Sequence, residues 1–387
     1  MNRSKMDTII AIIFTFLIFW GCMMNFKHIV CQTMPKLVGS NQENLRENIT
    51  ASENDFQNNF NGRDKYIEIY GVAQKLMGRN IVGNFEYIRE DGAIYSSVSY
   101  LGSTDKMIQE IEKVKAVSDK NNTPFLYIQA PNRDMQTSNN GVLSFLDENE
   151  SENIIVSTLE SKGVDVLDER QVALSDSNFD TSNMFFDTDL HLKTETELWA
   201  AKVIGEYLVN EKNVQLNNLE YLQCGKDKFQ FEHYEFLGNY ARSVGKYYVG
   251  LDTFLQFKPN FDTDYIVTNR VDGTTKAGRF EDVVMNGYEK TNTSNDTYWI
   301  TNYLMYGCPY YTITNNMQSS GKILIITDSI GYRTISMLSL TANEITVLDP
   351  RFFGGTDYIT KALAEGEYDI VVLYQGIFLS GFGFSVN

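Results

Sequence analysis

The stretch Lys322-Ile-Leu-Ile-Ile-Thr-Asp-Ser329 decides the fold, because an apolar run ends there at an aspartate and a serine. A short, continuous apolar run is typical of a strand that is buried on both faces of a sheet. A helical pattern then continues through Met337. The stretch therefore predicts a buried strand that passes through a tight turn into a helix.

The same alternation of strands and helices extends to both sides of this stretch. The sequence predicts helices at 104–120, 151–162, 193–210 and 357–365, and further strands at 125–128, 164–167, 345–348 and 369–373. Strands that alternate with helices favour an α/β fold with a parallel sheet and helices on both faces. Residues 211–320 break the alternation with short, strand-like pieces, so we interpret them as an irregular β-rich insertion and not as a separate domain.

The first 27 residues carry a membrane signal. No charged side chain stands between Asp7 and Lys27, and most residues between them are strongly apolar. A helix of about 20 such residues spans the hydrocarbon core of a bilayer. Arg3 and Lys5 precede it, and positive charge favours a cytoplasmic N-terminus. The favoured interpretation is an uncleaved anchor; a cleaved signal peptide and a lipidated Cys22 are the alternatives.

The predicted organisation of the chain follows from this anchor. Residues 1–27 are a cytoplasmic tip and transmembrane anchor, residues 28–64 a polar spacer, and residues 65–387 a domain on the extracytoplasmic side of the cell membrane. In an oxidising compartment Cys224 and Cys308 can pair, and two unrelated buried thiols are the alternative.

Composition excludes some classes of partner and site. The chain holds 33 Lys and Arg against 50 Asp and Glu, a net charge of −17. A surface this acidic repels phosphate backbones, so we expect no nucleic acid as partner. Only 3 His are present, which disfavours a multi-histidine metal site. We predict neither a metal nor another cofactor.

Ser329 is the first candidate for chemistry. It follows a buried strand and precedes a helix, where backbone N–H groups lack partners and favour a negative oxygen. A serine at this position can attack a carbonyl, and its own N–H can help to hold the oxyanion. The alternative is that Asp328 and Ser329 only cap the helix.

Asp189-Leu190-His191 is the second candidate, just ahead of the helix predicted from Lys193. In an extended segment, side chains two residues apart point to the same side, so Asp189 can orient the imidazole of His191 for general-base work. The alternative is an aspartate that caps the helix and a histidine on the surface. His28 abuts the apolar segment and His233 lies in the insertion, which makes His191 the candidate base.

The order of these two segments resembles a known family. An Asp-x-His segment ahead of a helix, then a distant strand that ends in Asp-Ser, resembles the DHHW family of exported bacterial proteins and the related alginate O-acetylation proteins. Their domain is a circularly permuted SGNH hydrolase with a flavodoxin-like parallel sheet. The resemblance covers roughly residues 65–387 and includes Tyr70-Gly71, Leu76-Met77-Gly78-Arg79 and Ala130-Pro131-Asn132. The chain departs from the family at Thr327, which replaces a glycine of the serine block, and in its Asp-Leu-His-Leu tetrad.

The resemblance implies roles for individual residues. Ser329 matches the nucleophile, His191 the general base, and Asp189 the residue that orients His191. Oxyanion binding falls to the N–H of Ser329 with less certain helpers, because the asparagine expected shortly after Gly376 is absent. The candidate oxyanion or glycan contacts are Asn239, Arg242, Gly355 and Gln375.

Together, these observations predict a membrane-anchored, extracytoplasmic serine O-acyltransferase or esterase that adds or removes acetyl groups on a cell-surface or exported polysaccharide. The resemblance also implies a multi-spanning membrane acyltransferase as the partner that exports the acyl group. The alternative is a non-catalytic SGNH-like protein that binds glycans or assists assembly in the cell envelope.

Overall fold

The computed structural model describes residues 3–35, 45–83, 86–90, 92–95, 103–133, 135, 148–225, 227–285 and 307–375. Its helices are α1 (Arg3–His28), α2 (Leu45–Asn59), α3 (Arg63–Leu76), α4 (Thr104–Lys120), α5 (Glu148–Ser161), α6 (Glu169–Ser175), α7 (Thr194–Lys212), α8 (Lys246–Val249), α9 (Tyr332–Leu338) and α10 (Tyr358–Glu365). Its strands are β1 (Ile81–Val82), β2 (Glu86–Ile88), β3 (Ile94–Tyr95), β4 (Phe125–Gln129), β5 (Asp165–Asp168), β6 (Phe229–Phe236), β7 (Asp252–Pro259), β8 (Tyr265–Asn269), β9 (Thr275–Gly278), β10 (Tyr310–Asn315), β11 (Lys322–Ile326), β12 (Glu344–Leu348) and β13 (Ile370–Gln375).

An eight-stranded sheet in the order β5-β4-β13-β11-β12-β10-β8-β9 organises the larger part of the chain. The first five strands in this order are parallel. They are the five strands that the sequence predicts, with ends that differ by one or two residues. The carboxyl ends of parallel strands meet at one edge of a sheet, and this edge is where ligands bind in open α/β folds.

The sheet is not parallel throughout, because its remaining three strands pair antiparallel with their neighbours. β10 pairs antiparallel with both β12 and β8, and β9 pairs antiparallel with β8. These strands come from the predicted insertion, so it extends the sheet as well as forming a separate two-stranded ribbon of β6 and β7. Antiparallel neighbours such as β8 and β9 need only a tight turn between them, so no intervening helix marks them in the sequence.

The core lies on both faces of the sheet. Side chains of α4, α5 and α10 pack against alternate strand residues such as Val371 and Leu373 on one face. The alternating residues of the same strand, Ile370 and Val372, are equally buried on the other face. A strand buried on both faces reads as a continuous apolar run, which explains why β11 and β13 are conspicuous in the sequence.

A smaller compact unit comprises Met1–Arg79 together with Ser243–Tyr248. Within it, Gly71 of α3 lies against the carbonyl oxygen of Val244, where an added Cβ would stand only 2.0 Å from that oxygen. Lys75 donates a hydrogen bond of 2.7 Å to the carbonyl of Tyr248. Residues 45–59, within the predicted polar spacer, form the helix α2.

Two further predictions concern the membrane anchor and the pairing of Cys224 with Cys308. Among the described residues, no helix combines the length and apolar character needed to cross a membrane. The transmembrane anchor at residues 1–27 therefore stays a prediction. Cys224 and Cys308 are both free thiols, so they do not pair; Cys308 is buried, as the alternative expects, whereas Cys224 is exposed.

Candidate active site

The serine turn connects β11 to α9. Asp328 holds the turn because its Oδ1 accepts the N–H of Ile330 at 2.8 Å, while its carbonyl accepts the N–H of Gly331 at 3.1 Å. Gly331 is the N-terminal cap of α9, and no side chain caps this helix. Ser329, which is 7 % exposed, therefore does not serve as the cap that was the alternative interpretation.

Close packing requires a glycine two residues after the serine, at Gly331. An added Cβ at Gly331 would stand 2.3 Å from Oγ1 of Thr327 and 2.5 Å from Cδ1 of Tyr374. Such distances are well inside van der Waals contact, so any side chain at this position would push the turn away from β13. Thr327, where the resemblance noted in the sequence predicts a glycine, is fully buried below the turn.

His191 and Asp189 form a buried pair at the start of α7. Nδ1 of His191 lies 2.5 Å from Oδ1 of Asp189, and the same oxygen accepts the backbone N–H of His191 at 3.1 Å. Both side chains are 4 % exposed. The pair sits in a bend, not in the extended segment that the sequence argument assumed. The cap of α7 is Lys193, without a side-chain hydrogen bond, so Asp189 does not act as a capping residue.

The environment keeps Asp189 ionised. Burial by itself raises the pKa of this carboxyl, but the charge and hydrogen bonds of His191, with the N–H of Asn239, outweigh burial and lower the pKa to about 2. The Asn239 N–H lies 2.7 Å from Oδ2 of Asp189. An ionised carboxylate on Nδ1 fixes the tautomer and orientation of an imidazole and stabilises the imidazolium.

Three further groups hold the loop that carries this pair. The carboxylate of Asp252 accepts the N–H groups of Asp187 at 3.0 Å and of Thr188 at 2.7 Å. Gly238 approaches so closely that an added Cβ would stand 2.3 Å from the carbonyl oxygen of Thr188. Arg133, which follows β4, donates to the carbonyl of Asp189. Sequence reasoning missed Asp252 and Arg133, since neither lies near the motif in the chain.

A second arginine joins the histidine loop to the serine helix. Arg333, four residues after Ser329, donates to the carbonyl of Leu192, the residue that follows His191. It also forms a buried ion pair with Glu197 of α7. Contacts between α7 and α9 thus hold the loop of the predicted base beside the helix that follows the predicted nucleophile. The hydrogen bond between Ser329 and His191 remains a prediction.

Arg351 is a contact of Ser329 that sequence reasoning missed. Its Nη1 donates to Oγ of Ser329 at 3.3 Å. Its Nε and Nη2 bind the fully buried carboxylate of Asp349 at 3.0 Å and 2.6 Å. Burial alone lowers the pKa of this guanidinium, but Asp349 and Asp328 raise the pKa by more than burial lowers it. The pKa therefore lies above its ordinary value, and Arg351 stays charged.

The other predicted contacts lie at the same edge of the sheet or near the histidine loop. Asn239 offers its backbone N–H to Asp189, and Arg242 follows in a short 3-10 helix. Gly355 is exposed and has a φ of +86°, in the turn after Arg351. Gln375 is buried at the end of β13. Their roles in binding an oxyanion or a glycan remain predictions, and Gly376 and Phe378 lie outside the described residues.

Solved structures share this fold, although no protein-family model and no curated protein sequence matches the chain. Bacillus cereus PatB1 with a sulfonyl adduct aligns at a TM-score of 0.55 and 14 % identity, over 77 % of this chain and 98 % of PatB1. A DHHW family protein from Eubacterium siraeum aligns at 0.56 and 16 %, over 77 % and 95 %. The O-acetyltransferase domain of Pseudomonas putida AlgJ aligns at 0.44 and 11 %, over 76 % and 91 %. The first two show that the chain shares the fold of PatB1 and of a DHHW family protein.

Proposed function

We propose that this protein is a serine O-acyltransferase or esterase that moves acetyl groups on or off a polysaccharide. Ser329 is the nucleophile, His191 the general base and Asp189 the residue that orients it. The observation that carries the proposal is the buried, 2.5 Å contact between Asp189 and Nδ1 of His191. A buried carboxylate on one imidazole nitrogen prepares the other nitrogen to take a proton.

The reaction has two halves, each with two proton transfers, and an acyl-enzyme is the intermediate between them. His191 Nε2 takes the hydroxyl proton as Ser329 Oγ bonds to the acyl carbon, and the carbonyl electron pair moves to oxygen. The tetrahedral adduct then collapses, and the leaving alkoxide takes the proton from His191. A sugar hydroxyl or water repeats these steps on the acyl-enzyme, which gives transfer or hydrolysis respectively.

The cellular setting belongs to the proposal as well. The apolar segment between Asp7 and Lys27 supports a membrane anchor with the catalytic domain on the extracytoplasmic side. A domain in that location can reach a cell-surface or exported polysaccharide. A multi-spanning membrane acyltransferase is then the partner that would supply acyl groups from inside the cell.

Covalent labelling tests the proposed nucleophile. We expect phenylmethylsulfonyl fluoride to label the wild-type protein once, at Ser329, because sulfonyl fluorides react with activated serines; the solved PatB1 structure carries a sulfonyl adduct. Ser329→Ala and His191→Ala should each lower kcat for p-nitrophenyl acetate by about 10⁴–10⁶-fold. Ser336→Ala is the matched control, since Ser336 lies on α9 and its Oγ donates to the carbonyl of Tyr332.

Two outcomes would contradict this function. Labelling that survives Ser329→Ala would place the nucleophile elsewhere. A folded wild-type protein that is neither labelled nor able to turn over any acetyl ester would instead favour the non-catalytic glycan-binding alternative. Mass spectrometry of the intact protein shows whether it is labelled, and mass spectrometry of its peptides shows where, which distinguishes the two outcomes.

A further inference from the structure

Arg351 is fixed by its own turn before it reaches the serine. Asp349 directly follows β12, and its side chain accepts the N–H of Arg351 at 3.0 Å. The same carboxylate therefore holds both the backbone of the turn and the guanidinium. Tyr332 at the start of α9 donates its hydroxyl to Asp349 as well. The guanidinium therefore has little freedom, and Nη1 is held towards Oγ of Ser329.

A second turn of the same design shows what this arrangement does when the arginine meets a carboxylate instead of a serine. Asp168, at the end of β5, accepts the N–H of Arg170 at 3.0 Å and binds its Nε at 2.9 Å. Nη1 of Arg170 lies 2.9 Å from the carboxylate of Glu152. In one turn, Nη1 thus binds a second carboxylate, while in the other it donates to a neutral hydroxyl.

We propose that Arg351 is a catalytic residue of the serine reaction, whose Nη1 stabilises the negative charge that develops at the Ser329 adduct. This inference rests on the proposed function. In the resting protein, Oγ accepts a hydrogen bond from Arg351, so the hydroxyl proton of Ser329 points away from Arg351, as its transfer to His191 requires. In the tetrahedral adduct the negative charge lies on the former carbonyl oxygen, which is bonded to the same carbon as Oγ and is therefore within reach of Nη1. A charged oxygen binds a guanidinium more strongly than a neutral carbonyl oxygen does, so this contact favours the transition state over the ground state.

The atoms balance without any change in the protonation of Arg351. The proton leaves Ser329 for His191, the bond between Oγ and the acyl carbon forms, and the carbonyl electron pair becomes an oxyanion near Nη1. The collapse of the adduct returns that pair to the carbonyl, and the leaving alkoxide receives the proton from His191. Arg351 donates hydrogen bonds throughout and keeps its proton.

Steady-state kinetics with p-nitrophenyl acetate, a neutral substrate, test this role. Asp349→Asn combined with Arg351→Gln removes one negative and one positive charge together, so no uncompensated buried carboxylate is left behind. We expect kcat to fall by about 10²-fold, as for the loss of one oxyanion donor, with KM changed by less than about threefold. Arg351→Lys keeps the charge but loses the planar fork of the guanidinium, and we expect it to lower kcat by about tenfold.

The control is Arg170→Lys, which makes the same change in the turn whose arginine binds Glu152. It should leave kcat within about twofold of the wild type at a temperature where circular dichroism shows both proteins to be folded. Labelling of Ser329 by phenylmethylsulfonyl fluoride should slow in step with kcat in the Arg351 variants and stay normal in Arg170→Lys.

The outcomes separate this proposal from the function on which it rests. Wild-type kcat in folded Arg351 variants, alongside an inactive Ser329→Ala, would overturn the role of Arg351 and leave the serine reaction standing. A rise in KM with unchanged kcat would also overturn it, since Arg351 would then only bind substrate. A wild-type protein that is never labelled would remove the proposed function itself.

Discussion

The two Asp-x-Arg turns of the sheet share one local structure and differ in what they hold. In each, an aspartate at the end of a parallel strand accepts the N–H of the arginine two residues later and binds its guanidinium. At Arg170 the remaining partner is Glu152, and the whole ion pair is buried, with exposures of 2 % and 6 %. At Arg351 a neighbouring strand and turn contribute Ser329 instead. The comparison indicates that the turn itself only fixes the guanidinium. The residue that the neighbouring segment places against Nη1, Glu152 or Ser329, determines whether the arginine has a structural or a chemical role.

The central residues of the two turns also differ. Pro350 occupies the first position of a short 3-10 helix and has no side-chain polar group to place. Glu169 instead accepts the Tyr374 hydroxyl at 3.0 Å, and the ring of Tyr374 lies against Gly331 in the serine turn. The structural turn is therefore connected to the serine turn through one tyrosine of β13.

The largest effect that this comparison predicts is the loss of stability in Arg170→Met. The substitution leaves Asp168 and Glu152 without their shared cation in a buried site, and breaking a buried ion pair from one side costs about 3–5 kcal/mol of the free energy of unfolding. Arg351→Met should lower the free energy of unfolding by less, because it leaves only one carboxylate, Asp349, without its cation. Urea denaturation followed by circular dichroism measures both values.

A double variant checks the cause of that loss. Glu152→Gln added to Arg170→Met removes one of the two uncompensated carboxylates, so it should restore part of the stability. A loss below about 1 kcal/mol in Arg170→Met would contradict the structural role of the first turn and with it the comparison.

A smaller effect should follow from Gly331→Ala, which tests the close packing of the serine turn. The added methyl group would overlap Thr327 and Tyr374, and overpacking of this kind costs about 1–3 kcal/mol. We also expect slower labelling of Ser329, since the turn must move to make room. Gly163→Ala is the matched control, because it lies in open space and its cost arises only from a φ of +73°. Unchanged stability and labelling in Gly331→Ala would show that the turn is not tightly packed.

The sequence predicts well the parts of this molecule that depend on local patterns. The parallel strands β4, β11, β12 and β13 leave mostly apolar runs, because burial on both faces removes polar positions. The pairing of Asp189 with His191 is also local, at a spacing of two residues, and the structure has this contact in a bend.

What the sequence does not predict depends on contacts between distant segments. β10 joins the sheet through pairing with β12, and no helix or turn motif marks this antiparallel neighbour. Arg351 meets Ser329 because two loops converge at the carboxyl edge of the sheet. One signal could have found it, namely the recurrence of Asp-x-Arg directly after a strand, at 168–170 and 349–351.

The smallest effect concerns Glu169, the central residue of the first turn. Burial raises the pKa of this carboxyl well above its usual range; the hydrogen bond from Tyr374 lowers it only in part, and Asp168 raises it further. Oε1 of Glu169 finds no hydrogen-bond partner within the described parts of the chain, which suits a neutral acid better than a carboxylate. A raised pKa means that the folded protein holds a proton that the unfolded chain releases above about pH 4.3. Stability contributed by this group is therefore present below that pH and is lost as the pH rises towards the folded pKa.

Glu169→Gln should remove this pH dependence and keep an acceptor for Tyr374. At pH 7 we expect its free energy of unfolding to lie within about 1 kcal/mol of the wild type, because the buried amide adds N–H groups that need partners. Between pH 5 and the folded pKa, the difference should shift in favour of the variant by at most about 1.4 kcal/mol per pH unit. Glu152→Gln is the control. Because Glu152 is paired with Arg170, its replacement by a neutral side chain should lower the free energy of unfolding at pH 7. Urea denaturation over a pH series measures both variants, and parallel curves for Glu169→Gln and the wild type would mean that Glu169 is already ionised in the fold.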